Sequence, residues 1–523
     1  MPSALLPTFA EIHVVSDIHI GGRKTATSDF QIFTPGERLA GLIDRARDAR
    51  PGEDVAFVLN GDVIDSLAEE DISAYVALDE KSALDMIERL WTDDSFKVVW
   101  SALHDFLAQR GRHLIVVVGN HDIELALPLV EAELRRRLAG TDPERQSRLI
   151  FSTHGAGFAC TVGQARVFCT HGNEVDPMNW VDYNLLGQLA NAMSAGRSVD
   201  ATLWKPNGGT RLVKDVMNLI KRVYPFVDLL KPETAAIAGV LMALDRETFR
   251  KVDLSDAIPI LKDAFKGRSL TSHLLGFEGQ AADARSVAVN EAAVLRQVLG
   301  PNLREALADP GAAPDEEDQL LLQAGTAAAA GGVRPLPKPG QPVETLGAGD
   351  YIAGLVGFLP KVEALRRALK DWLEDDKTYD VSATTHDGDL FKAMETRVGP
   401  GVDFVITGHT HLARALRFPW GGYYYNCGTW IRLLRLTSEV LDSRQAFEAE
   451  LWPVLNARSM RALDDAEIPG PGGRVKLLHD RTNAVRLSVN AQGQTVGDLL
   501  RVTGNQRNAV AVELEAGTRS AVV

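Results

Sequence analysis

The sequence predicts an α/β fold of two packed sheets, interrupted by a large, mainly helical insertion and followed by a small C-terminal extension. Three observations lead there. From the N-terminus to about Arg148, short Val/Ile-rich runs alternate with helical stretches, the pattern of a sheet covered on both faces. From Arg148 the chain turns to short strands joined by tight turns, the pattern of a second sheet. Between the two strand-rich parts lies a long segment of helical spacing and an Ala/Gly/Pro-rich stretch.

Taken in order, Glu11–Ser16 (EIHVVS) is a strand that ends in Asp17-Ile-His19, and Thr34-Pro-Gly-Glu opens a helix through Ala49. Asp54–Leu59 (DVAFVL) is a strand ending in Asn60-Gly-Asp62, and Arg112–Val118 (RHLIVVV) runs into Gly119-Asn-His-Asp122. The second sheet is read from RLIF, GFACTV and ARVFCT, the last ending in His171-Gly172. Val402–Thr407 ends in Gly408-His-Thr-His411, and two further strands follow, around Leu412–Phe418 and Tyr423–Asn426, joined by Trp420-Gly-Gly. In the insertion, Leu212, Val216, Leu219, Ile220 and Val223 recur at helical spacing. A buried helix is expected over Thr234–Leu244, a flexible linker over 308–349 and another helix over Val362–Leu373. The tail holds strand-like runs at Val485–Val489 and Val510–Leu514. The boundaries expected are 8–176 and 395–440 for a split two-sheet domain, 177–394 for the insertion and 441–523 for the extension, whose role is left open.

Composition narrows the function classes. The 523 residues, 45% hydrophobic and 24% charged, are ordinary for a folded protein of several units. The 56 Lys+Arg against 70 Asp+Glu leave a formal charge of −14, so the basic footprint of a nucleic-acid binder is absent and nucleic acid is not an expected partner. The three cysteines, Cys160, Cys169 and Cys427, form no C-x-x-C pair, which excludes a disulfide framework and a cysteine zinc site and fits a reducing, cytoplasmic setting. The N-terminus lacks the basic and apolar regions of a secretory signal, and no apolar run reaches the roughly 20 residues of a membrane span.

The chemistry lies at the strand ends. Five clusters occur there: Asp17-x-His19, Gly61-Asp62-x-x-Asp65, Gly119-Asn120-His121-Asp122, His171-Gly172 and Gly408-His409-x-His411. They hold five of the 12 histidines, with carboxylates, one amide and no thiolate, a donor set suited to Mn²⁺, Fe²⁺ or Zn²⁺. In an α/β sheet the C-terminal strand ends are where ligands bind. A single D-x-H could be a solvated strand end; five such clusters, each closing a strand or turn, point to a metal centre. Thr153-His154-Gly155 competes with His171, which follows the stronger strand. His13 and His113 read as structural, and His104, His273, His386 and His479 as surface or capping residues. Asp122 reads as a support for the Asn120 loop.

This set resembles the calcineurin-like metallophosphoesterase superfamily, whose order D-x-H, G-D-x-x-D, G-N-H-D/E, strand-end H and G-H-x-H is filled throughout. Asn426-Cys-Gly-Thr429 is similar to the family's strand-closing Asn-x-Gly-Ser/Thr. The resemblance implies an αββα sandwich of the metallophosphoesterase type and two divalent ions, Mn²⁺ before Fe²⁺ or Zn²⁺. By it, Asp17, His19, Asp62 and His411 hold one ion, and Asp62, Asn120, His171 and His409 the other. Asp62 would bridge ions about 3.5–4 Å apart, with a bridging hydroxide as nucleophile. His121 would protonate the leaving group or stabilise the phosphoryl, with Asp65 orienting its ring.

A phosphodiester, pyrophosphate or phosphomonoester substrate is implied, with a nucleotide-sugar or lipid pyrophosphatase at the membrane surface, or a non-catalytic metal-binding scaffold, as alternatives. The sequence departs from serine/threonine protein phosphatases, which resemble G-D-x-x-D-R-G and G-N-H-E, because Ser66-Leu67 and Asp122 stand here. Bacterial UDP-diacylglucosamine pyrophosphatases are similar in carrying a helical insert between the same motifs, but have Arg where this chain has His121. The interval 409 − 171 = 238 residues makes the insertion the expected cap. Its Arg211, Lys214, Lys221 and Arg222 raise peripheral membrane contact as an expectation beside a plain solvated helix face. The oligomeric state is left open.

Overall fold

A computed structural model of the full chain describes residues 6–24, 29–69, 79–176, 179–200, 203–231, 236–245, 361–375, 381 and 388–522. The linker expected over 308–349, His273 and His386 lie outside the described residues. The chain divides into two units: Met1–Thr210 with Lys377–Leu433 and Asp480–Val523, and Arg211–Asp376 with Leu434–His479.

The first unit is an αββα sandwich. Its strands are β1 (Thr8–Phe9), β2 (Glu11–Val15), β3 (Val55–Asn60), β4 (Arg112–Val117), β5 (Leu149–Ser152), β6 (Phe158–Val162), β7 (Ala165–Cys169), β8 (Phe404–Thr407), β9 (Ala413–Arg417) and β10 (Tyr423–Cys427). A two-residue strand, β11 (Leu433–Leu434), and three short ones, β12 (Glu467–Gly470), β13 (Gly473–Lys476) and β14 (Leu478–His479), lie outside the two main sheets. Four more strands, β15 (Thr482–Val489), β16 (Thr495–Thr503), β17 (Ala511–Leu514) and β18 (Ser520–Val522), close the chain. One sheet has the order β17-β16-β15-β2-β3-β4-β5, with β18 also on β16; the other has the order β1-β6-β7-β8-β10-β9.

Period-two alternation decides what each strand buries. In β2, β3 and β4 the side chains of Ile12, Val14, Ala56, Val58, Ile115 and Val117 enter the core between the sheets, facing Cys160, Val162, Val167, Cys169, Phe404 and Ile406. The alternate residues Val15, Phe57, Leu59, Leu114 and Val116 face the other way. There they pack beneath α1 (Gly36–Asp48), α2 (Glu80–Thr92), α3 (Lys97–Ala108) and α4 (Pro128–Ala139), the crossover helices of the parallel strands. On the far side of the second sheet, helix Gly388–Arg397 covers Val405, Leu416 and Tyr424 with Phe391 and Met394. Each fully buried aliphatic side chain contributes about 1.5–3 kcal/mol relative to exposure, so this three-interface core dominates the unit's stability.

The division differs from the expected boundaries at the C-terminus. Residues 480–522 form strands of the main sheet: β15 pairs antiparallel with β2, Val485 opposite Val14 and Leu487 opposite Ile12. Without them β2 would present an open edge, a liability in any sheet. Tyr425 ties this hairpin to the second sheet, its hydroxyl lying 2.6 Å from Ser520 Oγ and 2.8 Å from the Thr518 carbonyl. Residues 434–479 belong instead to the second unit, and helix Tyr183–Ser194 (α5), placed by the expected boundaries in the insertion, belongs to the first.

The described part of the second unit is mainly helical. Helix Lys361–Asp375 packs on Ala236–Leu244 and buries Leu365, Leu369 and Trp372. Of the basic cluster in its first segment, Lys221 is buried with its Nζ 3.0 Å from Asp228, and Arg211 Nε lies 4.0 Å from Asp215. No helix among the described residues is long and apolar enough to cross a membrane.

Candidate metal centre

All nine residues singled out at the strand ends fall in the first unit, at the C-terminal ends of β2, β3, β4, β7 and β8. Among the described residues seven non-glycine positions have positive φ, and five of them are Asp17 (54°), His19 (54°), Asp62 (52°), His409 (71°) and His411 (60°). A left-handed conformation disfavours a side-chain-bearing residue, and such strain persists where surrounding structure enforces it, characteristically at functional sites.

The enforcing contacts are specific. The backbone N–H of His409 donates to both carboxylate oxygens of Asp17 (3.1 and 2.9 Å), and Ser16 Oγ donates to Asp17 Oδ2 (2.5 Å). The two strand ends cross so closely that a Cβ on Gly408 would stand 1.8 Å from Ser16 Oγ. The Asn120 loop wraps Asp62 in the same way: His121 N–H donates to Asp62 Oδ1 (2.9 Å), and a Cβ on Gly119 would lie 2.2 Å from that oxygen. Asp122 accepts from Val63 N–H and Gly119 N–H, both at 2.7 Å, pinning the loop to the β3 end.

Among the described residues, donor atoms converge in three groups, each within 4.8 Å: Asp17, His19 and His411; His19, Asp65 and His121; Asp62, His171 and His409. Asp62 Oδ2 is common ground, 3.1 Å from His171 Nε2 and 3.9 Å from His19 Nε2. The rings also touch, His19 stacking on His411 at 5.2 Å and meeting His121 edge-on at 4.9 Å, and His171 meeting His409 at 5.3 Å.

Two nitrogens are already held by neutral groups: His171 Nδ1 by the Asn60 carbonyl at 2.9 Å, and His411 Nδ1 by Thr429 Oγ1 at 3.1 Å. Buried atoms with no hydrogen-bond partner include both nitrogens of His19 and Oδ1 of Asn120. Leaving such atoms unmade costs about 1–3 kcal/mol each, and a divalent cation is the partner that imidazole lone pairs and an amide oxygen have in common.

Electrostatics point the same way. Burial alone would raise Asp62, but His171, His121 and His19 together hold it well below the usual carboxylate range. Burial would likewise raise Asp65, yet the charge and bond of His121 and the contact with His19 hold it well below. Burial would lower His171, and the facing Asp62 pushes it up to about 10 instead. Burial, with the Asp62 charge second, pushes Asp122 up to about 7. A pocket that recruits protons onto a ring between buried carboxylates is one where a metal ion can supply the same positive charge and release them.

Residues 10–222 match the family model for calcineurin-like phosphoesterases. This part of the chain is a calcineurin-like phosphoesterase domain. It marks the protein as a hydrolase acting on phosphoric esters, and the family implies a binuclear divalent metal centre, which the His/Asp groups suit. No curated protein matches the chain. The phosphoesterase match ends before His409 and His411, but the structure brings both to the same strand ends as Asp17 and His171.

Other residues near this phosphoesterase centre carry no motif. Asp176 Oδ2 lies 2.7 Å from His409 Nε2, and Glu174 accepts from Thr170 Oγ1 and the Gly172 N–H, both at 2.7 Å. The only sequence signal for either is proximity to His171. His154 is exposed and joins none of the three groups. His13 bonds Glu11 Oε1 at 2.7 Å beneath the sheet, His113 lies 3.6 Å from Asp54, and neither joins the groups.

Proposed function

We propose that this centre holds two divalent ions, Mn²⁺ by preference, and hydrolyses a phosphodiester or pyrophosphate bond. The observation that carries the reading is the position of the Asp62 carboxylate between two histidine-bearing groups, with His171 Nε2 and His19 Nε2 at 3.1 and 3.9 Å. Asp17, His19 and His411 would hold one ion, Asn120, His171 and His409 the other, and Asp62 both; the partnerless nitrogens and amide oxygen support these roles. Bound there, two such ions would supply Lewis acidity to the attacking water and to the charge developing around phosphorus.

The chain's own groups do the rest. His121 Nδ1 sits 3.1 Å from Asp65 Oδ1, so the ring is oriented by a buried carboxylate and delivers its proton through Nε2 to the leaving-group oxygen. Ser66, where a protein phosphatase of the serine/threonine type has arginine, is buried and donates its hydroxyl to the His121 carbonyl at 2.8 Å. With no guanidinium at that position, a singly charged diester or anhydride fits better than a dianionic monoester. Arg211–Asp376, the part of the second unit that interrupts the chain between His171 and His409, is the proposed selectivity element. Three buried, unbridged cysteines support a reducing, cytoplasmic setting.

Substituting His121→Ala should lower kcat by about 10²–10⁴-fold while both ions remain bound. Hydrolysis of bis-p-nitrophenyl phosphate with metal content measured alongside checks this; undiminished turnover would remove His121 from the mechanism.

A further inference from the structure

Three of the proposed histidine ligands, His171, His409 and His411, have a hydrogen-bonded ring nitrogen, and they are not held alike. His171 is held by a backbone carbonyl and His411 by a hydroxyl, both neutral, whereas His409 Nε2 meets a carboxylate, Asp176 Oδ2, at 2.7 Å. That carboxylate is itself fixed. Asn179 Nδ2 donates to the same oxygen at 2.8 Å, and the Asp176 N–H donates to the Asn173 carbonyl at 3.2 Å. Asn179 is packed so tightly that a Cβ on Gly209 would lie 1.9 Å from its Oδ1. The short helical turn Asn173–Val175 therefore leaves His171 and returns a charged group to His409, 233 residues further along the chain.

We propose that Asp176 is a positioning residue for the second ion: its carboxylate fixes His409 as the Nε2–H tautomer and leaves Nδ1 as the nitrogen that faces the ion. A carboxylate accepting from the far nitrogen of a metal-binding imidazole sets the tautomer and raises the basicity of the other nitrogen, an effect worth about 10–100-fold in affinity. The consequence is asymmetry between the two ion positions. The position served by His409 gains affinity from Asp176, while at the position served by His411 the ring's Nδ1 meets the neutral Thr429 hydroxyl. The inference rests on the binuclear reading above.

The test is Mn²⁺ titration of the metal-free full-length protein, with free Mn²⁺ followed by electron paramagnetic resonance, for the wild type, Asp176→Asn and Asn179→Ala. Asp176→Asn keeps an acceptor for the Nε2–H and removes only the charge. It should weaken one of two Mn²⁺ positions by about 10–100-fold and leave the other within about twofold. Asn179→Ala, which only frees the carboxylate, should weaken the same position by less. Thermal melting of the metal-free variants should match that of the wild type, separating an effect on the ion from one on the fold. Retention of both affinities in Asp176→Asn, or equal weakening of both positions, would overturn the assignment. A wild-type protein that binds fewer than two Mn²⁺ would overturn the binuclear reading and, with it, this inference.

Discussion

Replacing Asp62 with asparagine should lower turnover by on the order of 10³-fold or more and remove at least one bound ion, the largest loss expected from any single change in the chain. The side chain is 2% exposed, and both oxygens are committed, Oδ1 to the His121 N–H at 2.9 Å and Oδ2 toward His171 and His19. An amide supplies one oxygen only. If that oxygen keeps the His121 bond, an N–H₂ group faces His171 and repels any cation there; if it turns, the His121 N–H is left without its acceptor. Either way the formal charge that lets two cations share one ligand is gone. Metal analysis and steady-state rates on one preparation check this, with circular dichroism as the control for folding. Two ions and near-normal rates in this variant would exclude Asp62 as the bridge.

The second large effect is steric. Gly408→Ala inserts a methyl group 1.8 Å from Ser16 Oγ and 2.4 Å from Asp17 Oδ2, where the ends of β2 and β8 cross. Neither neighbour can swing away. Ser16 is fully buried and donates to Asp17 Oδ2 and the Asn60 carbonyl, and Asp17 holds the His409 N–H. The strands must part, at a cost of about 1–3 kcal/mol for overpacking. A displacement of about 1 Å among catalytic groups is worth about 10²-fold in rate. Gly408→Ala should therefore melt lower than wild type and lose Mn²⁺ affinity and turnover together. Gly399→Ala, where an added Cβ would meet nothing within 4 Å, is the matched control and should change neither. Normal metal binding in Gly408→Ala would show that the crossing is looser than the contacts indicate.

How much of this is legible in the sequence depends on distance along the chain. The strand-end clusters can be read because each is a local word: a Val/Ile run that fixes the strand, followed at once by Asp17-x-His19, Asp62 or Gly119-Asn120-His121. Their left-handed backbones are the physical counterpart of those tight turns. Asp176 is invisible by the same logic, since its meaning comes from His409, which no spacing rule links to it. The Asn60 carbonyl, which holds His171 Nδ1, is a backbone atom and leaves no residue-type signature at all. The tail shows the same limit. Val485–Val489 and Val510–Leu514 read as strands from composition, but the pairing of Val485 with Val14 spans nearly the whole chain and is set by the otherwise open edge of β2. Helix α1 is readable from its Thr34-Pro-Gly-Glu start, whereas the grouping of residues 434–479 with the second unit depends on packing alone.

The most direct test of the account is one measurement on the full-length protein: Mn²⁺ bound per chain, together with Mn²⁺-dependent hydrolysis of bis-p-nitrophenyl phosphate, a nucleotide sugar, a cyclic nucleotide and p-nitrophenyl phosphate. Two ions per chain, with diester or pyrophosphate turnover that vanishes on chelation and returns with Mn²⁺, is the predicted result. Two ions bound with no turnover of any phosphate ester would contradict it and leave a metal-holding scaffold in place of an enzyme.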